Sequence, residues 1–524
     1  AGKGDLTVAF FVVAASLNTA YKRVSREEQS LKGNDMSLSI LIAASEAVPF
    51  AKSGGLADVV GSLPKYLRKL GHDVRVVIPR YYRIDRSKLA LQALPGLLVV
   101  PMGELGNEYC GVYEGRFPGT DIPVYFLEHE GYFGRSGLYD EGNVEFHDND
   151  RRFIFLSKAS LELCKLLDFH PDIVHANDWH TAAMPLLLNT TYRQDVYVGK
   201  SASILTIHNM QYQGSFPAKT MNILDVGWEQ FTFRGVEKDD QVNLLKAGIN
   251  NATLLNTVSE GYAAEIQTAA FGWGLEAVVR ERAADLYGIL NGVDYDEWSP
   301  ESDPYIVQNY SINDVSGKKM CKSSIQKAVG LPERSDVPLV GIVSRMVKQK
   351  GIDVLAAALP QILQLDLQIV MLGEGEPWAH FYFGGEAAKH SEKLAVVIGY
   401  DNSLAHKIEA GADFFLMPSA FEPCGLNQMY SLRYGTLPVV RATGGLDDSV
   451  ENFDEERLTG TGFKFRDLTP GALFDTLGWA VYTWYNRPEA IDVLIRNAME
   501  KRFTWEAAAE KYERLYLTAL SRLG

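Results

Sequence analysis

Residues 37–71 read SLSILIAASEAVPFAKSGGLADVVGSLPKYLRKLG. The stretch opens on a short apolar run, 37–45, passes a Gly-Gly turn at Gly54-Gly55 and enters a segment of helical spacing. There Leu56, Val59, Val60, Leu63, Leu67 and Leu70 recur on one face, as on an amphipathic helix. Pro64 conflicts with that helix, because an interior proline costs roughly 3 kcal/mol, so a kink or break is expected there. Gly71 is placed to end the helix just past its cap. Strand, glycine turn and helix together are the opening of a βαβ unit.

The same alternation runs outward along the chain. In the first half, apolar runs stand at 72–79, 122–129, 172–179 and 201–209; in the second, at 337–345, 367–375, 393–400, 413–419 and 437–445. Such runs lack the in–out alternation of a half-exposed strand and suit parallel strands buried on both faces. Strand–helix alternation implies right-handed crossovers, and hence two doubly wound α/β domains. They are expected to meet near 295–315, where DEWSPESDPYIVQNYS is polar and proline-bearing like a linker. An internal echo links the halves: Ser53-Gly-Gly-Leu-Ala-Asp-Val59 resembles Thr443-Gly-Gly-Leu-Asp-Asp-Ser-Val450, each after an apolar run and before a helical one. Two similar folds facing one another would enclose a cleft between the carboxyl ends of two sheets, where open α/β folds bind ligands.

The 524 residues suffice for two to four domains. Hydrophobic residues at 46% and charged ones at 22% exclude disorder as the main state. With 51 Lys and Arg against 66 Asp and Glu, the net charge of −15 argues against nucleic acid as a partner, while a small anion held by a few placed cations stays open. Cys110, Cys164, Cys321 and Cys424 form no CxxC pair, so neither a disulfide framework nor a zinc signature is expected, and a reducing compartment fits best. The longest apolar run, Leu6–Leu17, falls short of the roughly 18–20 residues that span a bilayer, so no membrane partner is expected. No basic segment precedes that run, which reads as a leader remnant or irregular extension; Met36 could be the natural start, and residues 1–36 are set apart.

Four constellations carry the chemistry. In Lys52-Ser53-Gly54-Gly55-Leu56 the glycines admit a ligand to the backbone, the helix start offers free N–H groups to an anion and Lys52 adds charge. A tight strand–helix turn with a solvated lysine is the alternative. In Ser344-Arg345-Met-Val-Lys-Gln-Lys350-Gly351, two cations at a strand's carboxyl end could hold a pyrophosphate and neutralise a departing phosphate, against a plain solvated loop. In Phe421-Glu422-Pro-Cys-Gly-Leu426-Asn427-Gln428, Glu422 could accept sugar or ribose hydroxyls while backbone N–H groups after Gly425 face phosphate; the alternative is a helix cap with an exposed acid. Cys424 suits a small buried hydrophobe better than a nucleophile. Asn177-Asp178-Trp179-His180 and Thr206-Ile207-His208-Asn209 both sit at strand ends, where His and Asp can bind a sugar or shuttle protons, or merely satisfy a core. The Asp-x-Asp matches Asp148–Asp150 and Asp294–Asp296 are chance-level metal signals, and no HExxH, P-loop or GxSxG motif appears.

KSGGLADV, NDWH, IHN, NGVD, SRMVKQKG, IGY, FEPCGLNQ and YGTLPVVRATGG occur in one order over roughly 37–520. As a set they resemble the bacterial glycogen synthases and the plant or algal starch synthases. The resemblance implies a GT-B fold, with two Rossmann-like domains (37–300 on the acceptor side, 301–504 on the donor side) around a central cleft. A final helix in 505–524 is expected to cross back onto the first domain. It further implies transfer of glucose from ADP-glucose to the nonreducing 4-OH of an α-1,4-glucan, with retention of configuration and with neither metal nor cofactor required.

The resemblance also assigns roles. Lys52 and Gly55 are similar to the loop at the donor phosphate, and Arg345 and Lys350 to the pair that stabilises leaving ADP. Glu422 matches the acid at the donor glucose, flanked by backbone donors at Cys424, Gly425 and Leu426. His208 matches the residue beside the reacting anomeric carbon and the glucose 6-OH; Asp178 and Asn209, from the two tetrads, are read as substrate-binding beside it. Asp58 and Asn291 fall where the family places sugar-contacting or domain-closing groups, and Tyr400 where an aromatic stacks on adenine. Many GT-B enzymes carry Glu-x7-Glu, whereas the residue eight after Glu422 is Tyr430. No unmatched carboxylate is suited to attack, which favours front-face attack assisted by the leaving phosphate. A UDP-glucose-dependent synthase, a pyridoxal-phosphate-dependent glucan phosphorylase and a non-catalytic glucan-binding protein are the rival readings. The compartment follows the source: cytoplasm in a bacterium, plastid or starch granule in a plant or alga.

Overall fold

A computed structural model describes residues 37–142 and 144–523; the apolar run 6–17 and Met36 lie outside them. All ten apolar runs contain strands, and they assemble into two sheets within the unit Ser39–Gly524. The first sheet has ten strands. Its parallel core runs in space Leu286–Gly288, Leu254–Thr257, Ala202–Ile207, Ile173–Asn177, Ser39–Ala43, Asp73–Pro79, Pro123–Glu128. An antiparallel extension through Asn107–Arg116 carries Gln92–Ala93 and Leu98–Pro101. The second sheet has six parallel strands in the order Leu394–Ile398, Gln368–Gly373, Leu339–Val343, Phe414–Met417, Leu437–Arg441, Phe463–Phe465. Both sheets reverse direction of winding beside their first strand, the point where doubly wound folds bind ligands.

Burial explains the sequence pattern. Every residue of Ile173–Asn177, Ala202–Ile207 and Gln368–Gly373 is buried, because helices cover both faces of the sheets. The short strands Leu254–Thr257, Leu286–Gly288 and Phe463–Phe465, and the antiparallel extension, had no counterpart among the apolar runs.

Three local readings change or sharpen. The helix Gly55–Lys69 runs unbroken through Pro64, so no break occurs. Its apolar face is buried on both sides of the proline, and this packing holds the helix despite the missing N–H. Leu70 caps it and Gly71 follows at φ +97°. The stretch 295–315 is no free linker. Trp298 stacks on Tyr430 at 4.0 Å and on His406 at 3.8 Å, Asp303 accepts from Tyr434 at 2.5 Å and meets His406 Nδ1 at 2.8 Å, and the Tyr310 hydroxyl donates to the Tyr434 carbonyl at 2.8 Å. Aromatic anchors fix it to the second lobe, a role its polar composition hid. The chain passes between lobes at Val293, whose N–H donates to the Phe503 carbonyl at 2.7 Å. There it runs beside the return crossing. The helix Trp505–Ser521 then packs on the helix Gly55–Lys69, and the Tyr516 hydroxyl reaches His175 at 2.9 Å.

Candidate active site

The strand Ser39–Ala43 ends three residues before the buried Glu46. Glu46 accepts from the Ser53 N–H, the Ser53 hydroxyl (2.8 Å), the Gly54 N–H (3.3 Å) and the Tyr139 hydroxyl (2.7 Å). Burial raises its carboxyl pKa, and these donors oppose the rise. The grip fixes the turn while leaving it open: a Cβ built on Gly54 or Gly55 meets nothing within 4 Å. The helix begins at Gly55, so its first N–H groups face that space. Lys52 is half exposed and pairs with Asp58 at 2.7 Å. Burial raises the Asp58 pKa and the ammonium lowers it.

At the ends of Ile173–Asn177 and Ala202–Ile207 the two tetrads form one cluster. Asp178 has left-handed backbone, φ +53°, which turns its carboxylate back to accept from the His208 N–H at 2.7 Å and the Asn209 N–H at 3.4 Å. Burial pushes its pKa up to about 7. His208 meets Asn177 Oδ1 through Nε2 at 3.0 Å. Burial, then the neighbouring His175, lowers its pKa to about 3, so the ring is neutral at physiological pH. A neutral imidazole here positions by hydrogen bonds rather than by charge.

In the second lobe the strand Leu339–Val343 leads into Arg345, and one 3₁₀ turn, Lys348–Lys350, ends at Gly351. Only glycine fits there: φ is +69° and a Cβ would stand 1.8 Å from the Pro418 carbonyl oxygen. The turn aims Lys350 Nζ at Glu422 Oε2, 2.5 Å away, where the Ser419 hydroxyl also donates at 3.1 Å. Arg345 is exposed, and among the described residues its guanidinium meets only Gln349, at 3.5 Å. It is therefore available to an anion. Gly425, at φ +70°, and Leu426 lead into the helix Asn427–Tyr434. Burial pushes the Cys424 thiol up to about 12, which keeps it protonated and a poor nucleophile. The Asn291 N–H points at that sulfur, and its own buried Oδ1 has no partner among the described residues. Tyr430 supplies a ring stacked on Trp298 in place of a second acid. Tyr400 follows Gly399 and is 83% exposed, its hydroxyl 3.3 Å from Asn402.

The structure thus joins Lys350 with Glu422, His208 and Asn209 with Asp178, Lys52 with Asp58, and Cys424 with Asn291. Arg345 and Tyr400 contact none of these. Of the Asp-x-Asp pairs, the first is engaged elsewhere, Asp148 pairing with Arg135 at 2.5 Å and Asp150 accepting from Thr220 at 2.9 Å, whereas in the second Asp294 accepts from the N–H of Asp296 itself at 3.0 Å. Sequence reasoning missed Glu46 and Tyr139. An acid just past a strand end and eight residues before a Gly-Gly turn was the available signal for the first; nothing local marks the second.

Comparison with known proteins fits this geometry. The profile of the starch synthase catalytic domain matches residues 39–281, and that of glycosyl transferases group 1 matches residues 325–476. Glycogen synthase 1 of Geobacter metallireducens is 66% identical over 93% of this chain and 97% of its own, and its Geobacter sulfurreducens counterpart 67% identical over the same shares. Among solved structures, the catalytic domain of starch synthase IV from Arabidopsis thaliana, bound to ADP and acarbose, is 32% identical. It covers 93% of this chain and 100% of its own with a TM-score of 0.85. Sucrose-phosphate synthase from Thermosynechococcus elongatus, at 16% identity and a TM-score of 0.57, shares the fold alone. Two Rossmann-like lobes, the ordered motif set and near-full-length likeness to these enzymes agree: the chain belongs to the family of glycogen and starch synthases, glucosyltransferases of the GT-B fold.

Proposed function

We propose that the donor is ADP-glucose and that the glucosyl unit goes to the nonreducing 4-OH of an α-1,4-glucan with retention. The observation that carries the reading is the Lys350–Glu422 pair at 2.5 Å, with the unengaged Arg345 on the same loop. Lys350 and Arg345 neutralise the departing ADP, and the N–H groups of Cys424, Gly425 and Leu426 receive phosphate oxygens. Glu422, fixed by Lys350 and Ser419, accepts donor-sugar hydroxyls. Across the cleft, Lys52 and the open N–H groups at Gly55 meet the donor phosphate, and neutral His208 hydrogen-bonds the sugar beside the anomeric carbon. Asp178 and Asn209 hold that histidine's segment, while Asp58 and Asn291 contact sugar or steady the closed lobes. Tyr400 stacks on the adenine. Glu422 is committed to a cation and Cys424 stays protonated, which leaves front-face attack: the leaving phosphate takes the acceptor proton as the new glycosidic bond forms. The charge is met by side-chain cations, so neither metal nor cofactor is needed.

The bacterial relatives support glycogen as the product and a bacterial cytoplasm as the compartment, and the ADP and acarbose bound to the starch synthase IV domain support the donor and acceptor classes. The test is labelled-glucose incorporation into glycogen from ADP-glucose and UDP-glucose, with chelator present. Faster transfer from ADP-glucose, undiminished by chelator, is expected; a preference for UDP-glucose would overturn the donor, and no transfer from either the activity itself.

A further inference from the structure

The six-residue helix Glu260–Glu265 follows the strand Leu254–Thr257 of the first lobe and touches both halves of the site. It is seated hard on its own sheet: a Cβ on Gly288, at the end of the neighbouring strand, would stand 2.4 Å from the Glu260 Cα. On its inner side the Tyr262 ring is fully buried and its hydroxyl accepts from the Met210 N–H at 3.0 Å, two residues after His208. On its outer side the Ser259 hydroxyl donates to the Pro423 carbonyl at 2.6 Å, one residue after Glu422, while accepting from the Tyr262 N–H at 3.0 Å.

Two further contacts reach the turn behind Glu422. The Gly261 N–H donates to Asp448 at 2.7 Å, and Glu265 accepts from the Thr443 hydroxyl at 2.7 Å and the Gly444 N–H at 2.9 Å. That turn lies directly on the donor loop. The Gly445 N–H donates to the Glu422 carbonyl at 3.0 Å, and a Cβ on Gly445 would stand 2.1 Å from the Cys424 carbonyl oxygen. The lobes approach so closely that a Cβ on Gly261 would lie 2.8 Å from the Gly444 carbonyl oxygen.

We propose that this helix is a brace that sets the spacing between His208 and Glu422 across the cleft, with Ser259, Tyr262 and Glu265 as positioning residues. The inference rests on the transferase reading above and adds to it. The hydrogen bonds run from the segment that carries the histidine, through one helical turn, to the loop that carries the acid. Catalysis by positioning is steep in distance: a misplacement of about 1 Å can cost on the order of 10²-fold in rate. Each lobe keeps its own loop when the brace is altered, so donor binding should survive while turnover falls.

The test uses the whole chain and four variants: Tyr262→Phe, which removes one oxygen, Gly261→Ala, which drives a methyl into the opposite lobe, and Glu265→Ala beside Glu265→Gln, which keeps an acceptor oxygen. We expect kcat to fall roughly tenfold to a hundredfold in the first three, by more than any loss of Tm accounts for, with donor KM near wild type and with rescue by Glu265→Gln. Amide exchange at 207–210 and 422–426 should rise together in Tyr262→Phe. Wild-type kcat in folded Tyr262→Phe and Gly261→Ala overturns the proposal, as does a loss that merely follows Tm. If Gly261→Ala fails to fold, Tyr262→Phe decides. If the wild type transfers no glucose, the function is wrong and the exchange measurement alone decides the brace: a coupled rise supports it, and unchanged exchange overturns it.

Discussion

The two Gly-Gly-Leu turns are near copies in sequence and opposites in surroundings. At Gly54-Gly55 the turn is gripped from its own lobe by Glu46 and faces open space. At Gly444-Gly445 it is gripped from the other lobe by Glu265 and pressed onto the Glu422 and Cys424 carbonyls. The first pair of glycines leaves room for a ligand, whereas the second leaves room for backbone. One motif therefore makes an open turn in one lobe and a packed turn in the other, and the difference lies wholly in what the fold brings against it.

The largest expected effect is on the pair that the shut turn supports. Glu422→Gln keeps the shape but not the charge, and should lower kcat roughly 10²–10³-fold, with a smaller loss of Tm than Lys350→Ala because the Lys350 left behind is 19% exposed. Lys350→Ala should lose comparable turnover and also stability, because it strands a carboxylate that is only 8% exposed. Steady-state rates beside thermal melts separate the two, and wild-type turnover in either folded variant would remove that residue from the mechanism.

Next comes the direct comparison of the turns. Gly445→Ala should cost several kcal/mol, by driving a methyl against the Cys424 carbonyl, while Gly54→Ala should leave Tm within a few degrees and act on donor KM instead. Equal destabilisation by both would erase the distinction.

A smaller effect belongs to Tyr400, whose exposed ring carries little of the fold. Base–aromatic stacking is worth about 1–3 kcal/mol, so Tyr400→Ala should raise donor KM roughly tenfold with kcat and Tm almost unmoved, and Tyr400→Phe should be near neutral. Donor titration at saturating glucan checks this; an unaltered KM in Tyr400→Ala refutes the stacking.

The smallest effect sharpens the comparison of acids. Asp178 is held by backbone N–H groups and Glu422 by a lysine, and burial pushes the Asp178 pKa up to about 7 from 3.8. A raised pKa means the folded state favours the proton, so this contribution to stability is full below pH 3.8 and lost as pH rises through about 7. Asp178→Asn should therefore melt higher relative to wild type at pH 8 than at pH 5. A difference independent of pH would deny the shift.

The readable parts of the sequence were those with a local signature. The long runs of β-branched and apolar residues marked ten strands, whereas Leu254–Thr257, with Asn256 and Thr257, and the three-residue Leu286–Gly288 were too short and polar to stand out. Pro64 argued for a break because propensity is local; burial of the helix on both sides of it outweighed that preference. The stretch after Val293 looked like a linker since its polar residues outnumber the few aromatics that anchor it.

The sequence by itself determined the two doubly wound lobes, the placement of Asp178, His208, Arg345, Lys350 and Glu422 after strands and of Lys52 before a helix start, and the family to which they point. These follow from periodicity and order along the chain, which need no knowledge of distant partners. Only the tertiary structure decided which group each of them faces. Tyr139 reaches Glu46 across 93 residues, and Ser259 reaches Pro423 across 164. Pairing at such separations is set by how the sheets and helices pack. So are the burial that keeps His208 neutral and the close approach that makes one Gly-Gly turn a brace point while its copy stays open. Desolvation and backbone contact belong to the folded volume, and no stretch of sequence carries them alone.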